Sequence, residues 1–378
     1  MDVQASLAKP DPLPQEIIAL ILRSSDLNHA SLARCCLVSR HTLEPARRNL
    51  YFSVDLVLLP RWTRNCRGDV LEDVMYNVTT AALMLTLSTS PHLAAHVRRV
   101  ALVHNHSDRD YSHVSTTPEA TLRTILRYAP RTEHFKTNIG ILFGLASQVE
   151  RGQLDAIRSL DLVKSAASDP TLSFKLNLRR FSINESAFID WDEERQLPTK
   201  LESFTMRPDF PMNRRPHLPH LLRKSMFTLT HLSIPFDMLA AFKNPSFPAL
   251  VKLELWILSA TYDQSEVVAY EALLHKLSNL RILSLRIASD VFFRSPLRLF
   301  ATKPESLRRI ELLREISLDH LAVILTHPVE ERIKEIGIYD PSMLSTRDSE
   351  STTVRFAAIR QMCHAARVEL VLIPPPPP

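Results

Sequence analysis

Glycine is scarce in this chain: Gly68, Gly140, Gly144, Gly152 and Gly337 are the only five among 378 residues. Average usage of roughly 7% would give about 26. Loops that cradle phosphates need glycine because backbone must approach the ligand closely. Neither GxGxxG nor GxxxxGK[ST] occurs, which argues against dinucleotide enzymes and P-loop NTPases. Cysteine is sparse too. Cys35, Cys36, Cys66 and Cys363 form no CxxC pair, so neither a disulfide framework nor a zinc knuckle is expected, and a reducing compartment suits them. The longest charge-free run, residues 74–97, carries Asn77, Thr79, Thr80, Thr86, Ser88, Thr89 and Ser90 and is too polar to cross a membrane. The first residues lack the basic-then-apolar pattern of a signal peptide. Cytoplasm or nucleus is the expected location. GxSxG and HExxH are also absent, so no catalytic, cofactor-binding or metal-ligating residue is assigned and no cofactor is expected.

What is present is the composition of an ordinary soluble protein, 45% apolar and 23% charged. The length exceeds what one average core spans, so two domains or one elongated repeat domain are expected. The net charge of +5 is spread along the chain, and neither nucleic acid nor membrane is an expected partner.

Near the start, PLPQEIIALIL (residues 12–22) reads as a helix, with Pro14 in its first turn and Glu16 near its positive end. Ile17, Ile18, Leu20, Ile21 and Leu22 leave almost no polar side, whereas a surface helix needs one apolar stripe. A second helix is predicted over about 31–39 and a third over about 42–51, with Pro45 in the first turn of the third, where its missing N–H costs little. Three short helices are marginal alone, so the second apolar side calls for another surface to cover it.

The residues Leu13-Pro14-x-Glu16-Ile17-Ile18, then Leu37-Val38-Ser39-Arg40, then Ala46-Arg47-Arg48-x-Leu50-Tyr51 together resemble an F-box, in a style similar to large fungal F-box families. The likeness covers residues 11–52. Many F-boxes place a tryptophan shortly after the LVSR element, where this chain has His41-Thr42-Leu43. The resemblance implies binding to a Skp-family adaptor of a cullin–RING ligase, with Leu13, Pro14, Ile17, Ile21, Leu37 and Val38 in that interface.

Farther on, one pattern recurs: apolar-x-x-apolar-x-apolar. It appears as Ile157/Leu160/Leu162, Leu178/Phe181/Ile183, Leu201/Phe204/Met206 and Leu229/Leu232/Ile234. It continues as Leu250/Leu253/Leu255, Leu280/Leu283/Leu285, Leu307/Ile310/Leu312 and Ile333/Ile336/Ile338. Val97/Val100/Leu102 is an earlier copy, Thr132 to Thr137 a degenerate one, and Val368/Val371/Ile373 a last one. Starts from 157 to 333 advance by 21, 23, 28, 21, 30, 27 and 26 residues. The residue between the last two apolar positions is never a bulky apolar one, as in Asp161, Ser182, Thr205, Ser233, Glu254, Ser284, Glu311 and Gly337. That alternation predicts short strands with one wet face. Helical stretches such as 266–276 and 318–326 fall between them. The pattern resembles the leucine-rich repeat, in degenerate form, because the position three beyond the last apolar residue holds neither Asn nor Cys.

The expected fold is α/β: N-terminal all-α F-box helices (11–52), a linking helical segment (53–96), a leucine-rich-repeat-like solenoid with a parallel inner sheet (97–373) and a polyproline tail (374–378). Period two then selects the side chains on the concave face. Of these, Arg207, Trp256, Arg286, Arg309 and Tyr339 are of types that dominate binding hot spots and are the expected contacts to a target protein. The implied function is that of a non-catalytic substrate receptor in an SCF-type ubiquitin ligase. Two rivals are a repeat scaffold whose F-box-like helices only cap the solenoid, and a metal enzyme using the His104–His113 stretch, which otherwise reads as a solvated loop. The acidic stretch Asp190–Glu194 and the Pro-rich, basic stretch Arg207–His220 read as loops.

Overall fold

The computed structural model describes residues 13–24, 27–64, 70–104, 111–116, 118–137, 156–162, 178–184, 200–208, 218, 222–242, 246–257, 264–287, 304–312, 321, 325, 333–339 and 349–373. Asp190–Glu194, nearly all of Arg207–His220 and the polyproline tail lie outside them, as does most of the 318–326 helix. The chain is mixed α/β and divides into two compact units, 1–157 and 158–378. Among the described residues no helix is long and apolar enough to cross a membrane.

The first unit opens with α1 (Gln15–Ser24), α2 (His29–Val38) and α3 (Arg40–Leu50). Pro14 sits just before α1, its carbonyl accepting from the amides of Ile17 and Ile18. Asn28 caps α2 through a bond from the Ser31 amide. Ser39 and Thr42 form a reciprocal capping box on α3. The Thr42 hydroxyl also donates to the Cys35 carbonyl at 2.8 Å, tying the end of α2 to the start of α3. Because α3 starts at Arg40, Pro45 lies inside the helix and not in its first turn. It is buried beside Ala46, so apolar packing there offsets the lost backbone bond.

Residues 53–96 do not form a helical link. β1 (Ser53–Arg64) and β2 (Val70–Asn77) open the segment, followed by α4 (Val78–Thr89) and α5 (Pro91–Ala94). The reason is period two: Val54, Leu56 and Leu58 alternate with exposed or half-buried residues, and all three are buried. β3 (Arg99–His104), β4 (Tyr111–Thr116), α6 (Pro118–Tyr128) and β5 (His134–Thr137) complete the unit. Strand order is β5-β3-β1-β2-β4, parallel across β5, β3 and β1 and antiparallel across β1, β2 and β4. Val100 and Leu102 sit in register with Val54 and Leu56, making Tyr51/Val54/Leu56 a further copy of the apolar triplet.

The second unit adds parallel strands in chain order: β6 (Ser159–Leu162), β7 (Arg180–Asn184), β8 (Ser203–Arg207), β9 (His231–Pro235) and β10 (Lys252–Ile257). β11 (Ile282–Ile287), β12 (Arg309–Leu312), β13 (Glu335–Tyr339) and β14 (Glu369–Ile373) follow. A 3-10 turn (Phe236–Ala241), α7 (Gln264–Lys276) and α8 (Ser349–Ala365) lie between strands. The middle apolar positions form one register row, Leu160, Phe181, Phe204, Leu232, Leu253, Leu283, Ile310 and Ile336, and every one is buried. Each contributes about 1.5–3 kcal/mol relative to an exposed side chain. The strand entrances repeat as well. Paired amides such as Val251/Lys252 and Arg281/Ile282 donate to one carbonyl of the preceding strand, here Thr230 and Val251.

The last strand departs from the expected triplet Val368/Val371/Ile373. Leu370 and Leu372 pair with Ile336 and Ile338, so Val371 and Ile373 share the polar face with Gly337. The chain reaches β14 through a tight helix ending. Val368 donates to the Cys363 carbonyl and Arg367 to that of His364, with Arg367 left-handed at φ 57°. Glycine usually fills that position, and here an arginine does.

Candidate functional site

Two surfaces carry the residues singled out above, one in each unit. In the first, the helix period splits α1. Leu22 is buried and Ile18 half-buried, while Ile17, Leu20 and Ile21 lie outward together with Leu13 and Pro14 just ahead of the helix. At the end of α2, Leu37 and Val38 are 86% and 74% exposed, whereas Leu32 of the same helix is buried. Every residue expected at the adaptor interface is therefore exposed. Leu20, at 62%, belongs with them and was legible as the i+3 neighbour of Ile17. The scaffold behind the stripe is the α1 and α2 packing on α3, with Ala46 fully buried.

In the second unit the polar face of the sheet carries three register rows. The central one runs Asp161, Ser182, Thr205, Ser233, Glu254, Ser284, Glu311, Gly337 and Val371. It is not the wet row that period two predicts, because Ser233, Glu254, Ser284 and Glu311 are buried. Long side chains from the flanking rows lie over it. Lys252 donates to Glu311 at 2.7 Å, Ser284 to Glu311 at 2.6 Å and Arg286 to Glu254 at 2.7 Å. Arg309 reaches Glu311 at 3.0 Å and Glu335 at 3.5 Å, and Arg207 reaches Asp161 at 3.0 Å.

Burial by itself would raise the carboxyl of Glu311. The hydrogen bonds from Lys252 and Ser284 and the charges of Lys252 and Arg309 outweigh it and hold the group below its ordinary range. Burial holds His231 below its ordinary value, against the pull of Glu254 and Glu311, and its Nε2 has no hydrogen-bond partner among the described residues.

Arg207, Arg286 and Arg309, expected as open contacts, are therefore each ion-paired within the sheet. The Trp256 indole N–H donates to Ser233 at 2.8 Å, and the Arg286 guanidinium stacks 4.3 Å above its ring. Trp256 lies half-buried on the polar face, neither tucked into the core nor fully open. The backbone of Tyr339 is in β13, and its side chain lies outside the described residues. Glu254 and Glu311 were missed as partners of Arg286 and Arg309, and Lys252 as a second partner of Glu311. The signal was available only as opposite charges at equivalent repeat positions.

The metal reading finds no support in the described part of the chain. Tyr111–His113 belongs to β4 and not to a loop, and residues 105–110 lie outside the described residues. Among the described residues no group of three His, Cys, Asp or Glu could hold a metal ion. Compared with protein-family models and with curated proteins, the chain matches none.

Proposed function

We propose that the protein is a non-catalytic substrate receptor of an SCF-type cullin–RING ubiquitin ligase, acting in the cytoplasm or nucleus. Helices α1–α3 act as an F-box and dock on a Skp-family adaptor. The sheet of the second unit acts as a leucine-rich-repeat-like solenoid that holds a target protein. The contribution to ubiquitin transfer is proximity and orientation. One observation carries the reading: Leu13 and Pro14 just ahead of α1, and Ile17, Leu20, Ile21, Leu37 and Val38 on helices whose other sides pack on α3, are all exposed. Apolar side chains presented in this way suit the core of a protein interface. On the second unit, the Trp256–Arg286 stack is the anchor for the target. With Arg207, Lys252, Arg286 and Arg309 already paired, shape and apolar contact select the target more than charge.

The test is co-purification of a Skp-family adaptor with the full chain, against a Leu13→Ala, Pro14→Ala, Ile17→Ala variant. These three side chains are exposed, so the variant keeps the wild-type circular dichroism. Capture by the wild type and loss in the variant are expected. A wild type that captures no adaptor overturns the reading and leaves a repeat scaffold capped by its N-terminal helices.

A further inference from the structure

The first unit holds a cavity of about 660 Å³ beneath the N-terminal helices. This is the size of sites that take small organic molecules, about 300–1,000 Å³. Its apolar side comes from Ala19 and Leu22 of α1, from Leu27, and from Pro45 of α3. Its polar side comes from Arg48, Asn49, His96, Arg98 and Arg99, with the Phe52 ring among them, and among the described residues no carboxylate lines it.

The charges around it do not cancel. Arg48 pairs with Glu44 at 3.1 Å, and Glu44 also meets His96 at 3.3 Å. Arg98 is committed three ways, to Glu133 at 3.3 Å and to the carbonyls of Ala95 and Val97. Arg99 is the remaining cation. Its guanidinium lies 5.2 Å from the centre of the Phe52 ring, and no carboxylate pairs with it among the described residues. Burial keeps His96 below its ordinary value and therefore neutral at neutral pH, although Glu44 pulls the other way. Among the described residues one uncompensated positive charge thus remains. The Asn49 side-chain amide also has no hydrogen-bond partner among the described residues. A guanidinium held over an aromatic face and an unused amide donor are groups that receive an acidic head.

We propose that this cavity binds a small organic acid. Its carboxylate or phosphate head is received by Arg99 and the Asn49 amide, and its apolar body rests on Leu22, Leu27 and Pro45. The carboxylate and the phosphate share this chemistry, and the choice between them is left to the probes. Such a ligand touches α1, α3 and the start of β3 at once. The proposal is independent of whether the exposed face of α1 docks on an adaptor.

The experiment is calorimetric titration of the full chain with 1-naphthoate, 1-naphthyl phosphate and the neutral 1-naphthalenemethanol. At least one acid is expected to saturate the protein with Kd below about 1 mM, with the neutral alcohol about tenfold weaker. The tighter acid identifies the head group. Arg99→Ala, at an exposed position, is expected to weaken the acid about tenfold. Arg127→Ala, an exposed arginine on α6 that does not line the cavity, is expected to leave it unchanged. Failure of both acids to saturate, equal binding of the alcohol, or undiminished binding by the Arg99→Ala protein would each overturn the proposal.

Discussion

Replacing Glu311 by Gln would probe the polar face of the second unit at its centre. The carboxylate is 5% exposed and receives Lys252 at 2.7 Å, Ser284 at 2.6 Å and Arg309 at 3.0 Å. Removing one partner from a fully buried ion pair costs about 3–5 kcal/mol. Here Lys252 and Arg309 keep 28% and 24% exposure, so water can take up part of the loss, and Arg309 retains Glu335. The amide also preserves the volume and one acceptor. The expected loss is therefore about 1.5–3 kcal/mol at neutral pH.

The pH dependence has a definite sign. Glu311 titrates below its ordinary value of 4.5 in the folded chain, so between the two values the unfolded state binds more protons. The stabilisation is complete above the ordinary value and is lost as pH falls through the folded one. The difference between wild type and Glu311→Gln should thus shrink towards about pH 3. Urea unfolding of the full chain at both pH values measures it. Hydrogen exchange of the β10–β12 amides assigns the loss to this sheet, since two units can unfold separately. A loss under about 0.5 kcal/mol at neutral pH, or one undiminished in acid, would refute the reasoning.

Two further tests probe local features of the same unit. A Cβ on Gly337 would lie 2.5 Å from Ile373 Cδ1 and 3.3 Å from Glu311 Cγ. Gly337→Ala should cost about 1–2 kcal/mol, and adding Ile373→Val should recover more than about 0.5 kcal/mol of it; strictly additive urea midpoints would show that the two do not meet. Arg367→Gly relieves the left-handed residue after α8 and should raise stability by about 0.5–1 kcal/mol. A lower midpoint would mean that the arginine side chain contributes more than its backbone strain costs.

Most of the parallel strands were legible because a strand's two faces are written locally, in alternation. Ile157/Leu160 through Ile333/Ile336 needed only spacing. The copy at Tyr51/Val54/Leu56 was hidden because Tyr51 closes the helical pattern before it, so one residue serves both elements. β2 was invisible for a different reason. Leu71, Val74, Met75 and Tyr76 do not alternate with polar residues, and its place comes from antiparallel pairing with β1 and β4. The slip at β14 was beyond spacing too, since Leu370 and Val371 are both apolar and pairing with β13 chose between them.

The same division separates the two surfaces. The exposed stripe on α1 follows from the sequence alone, because five large apolar residues in six consecutive positions exceed what one side of a helix can bury. On the polar face, the sequence determined which side chains point out of the sheet. Only the tertiary structure decided that they pair with one another. Lys252 and Glu311 are 59 residues apart along the chain and meet because β11 alone separates their strands. Charge pairing is set by distance in space, and parallel register converts long sequence separations into ångströms.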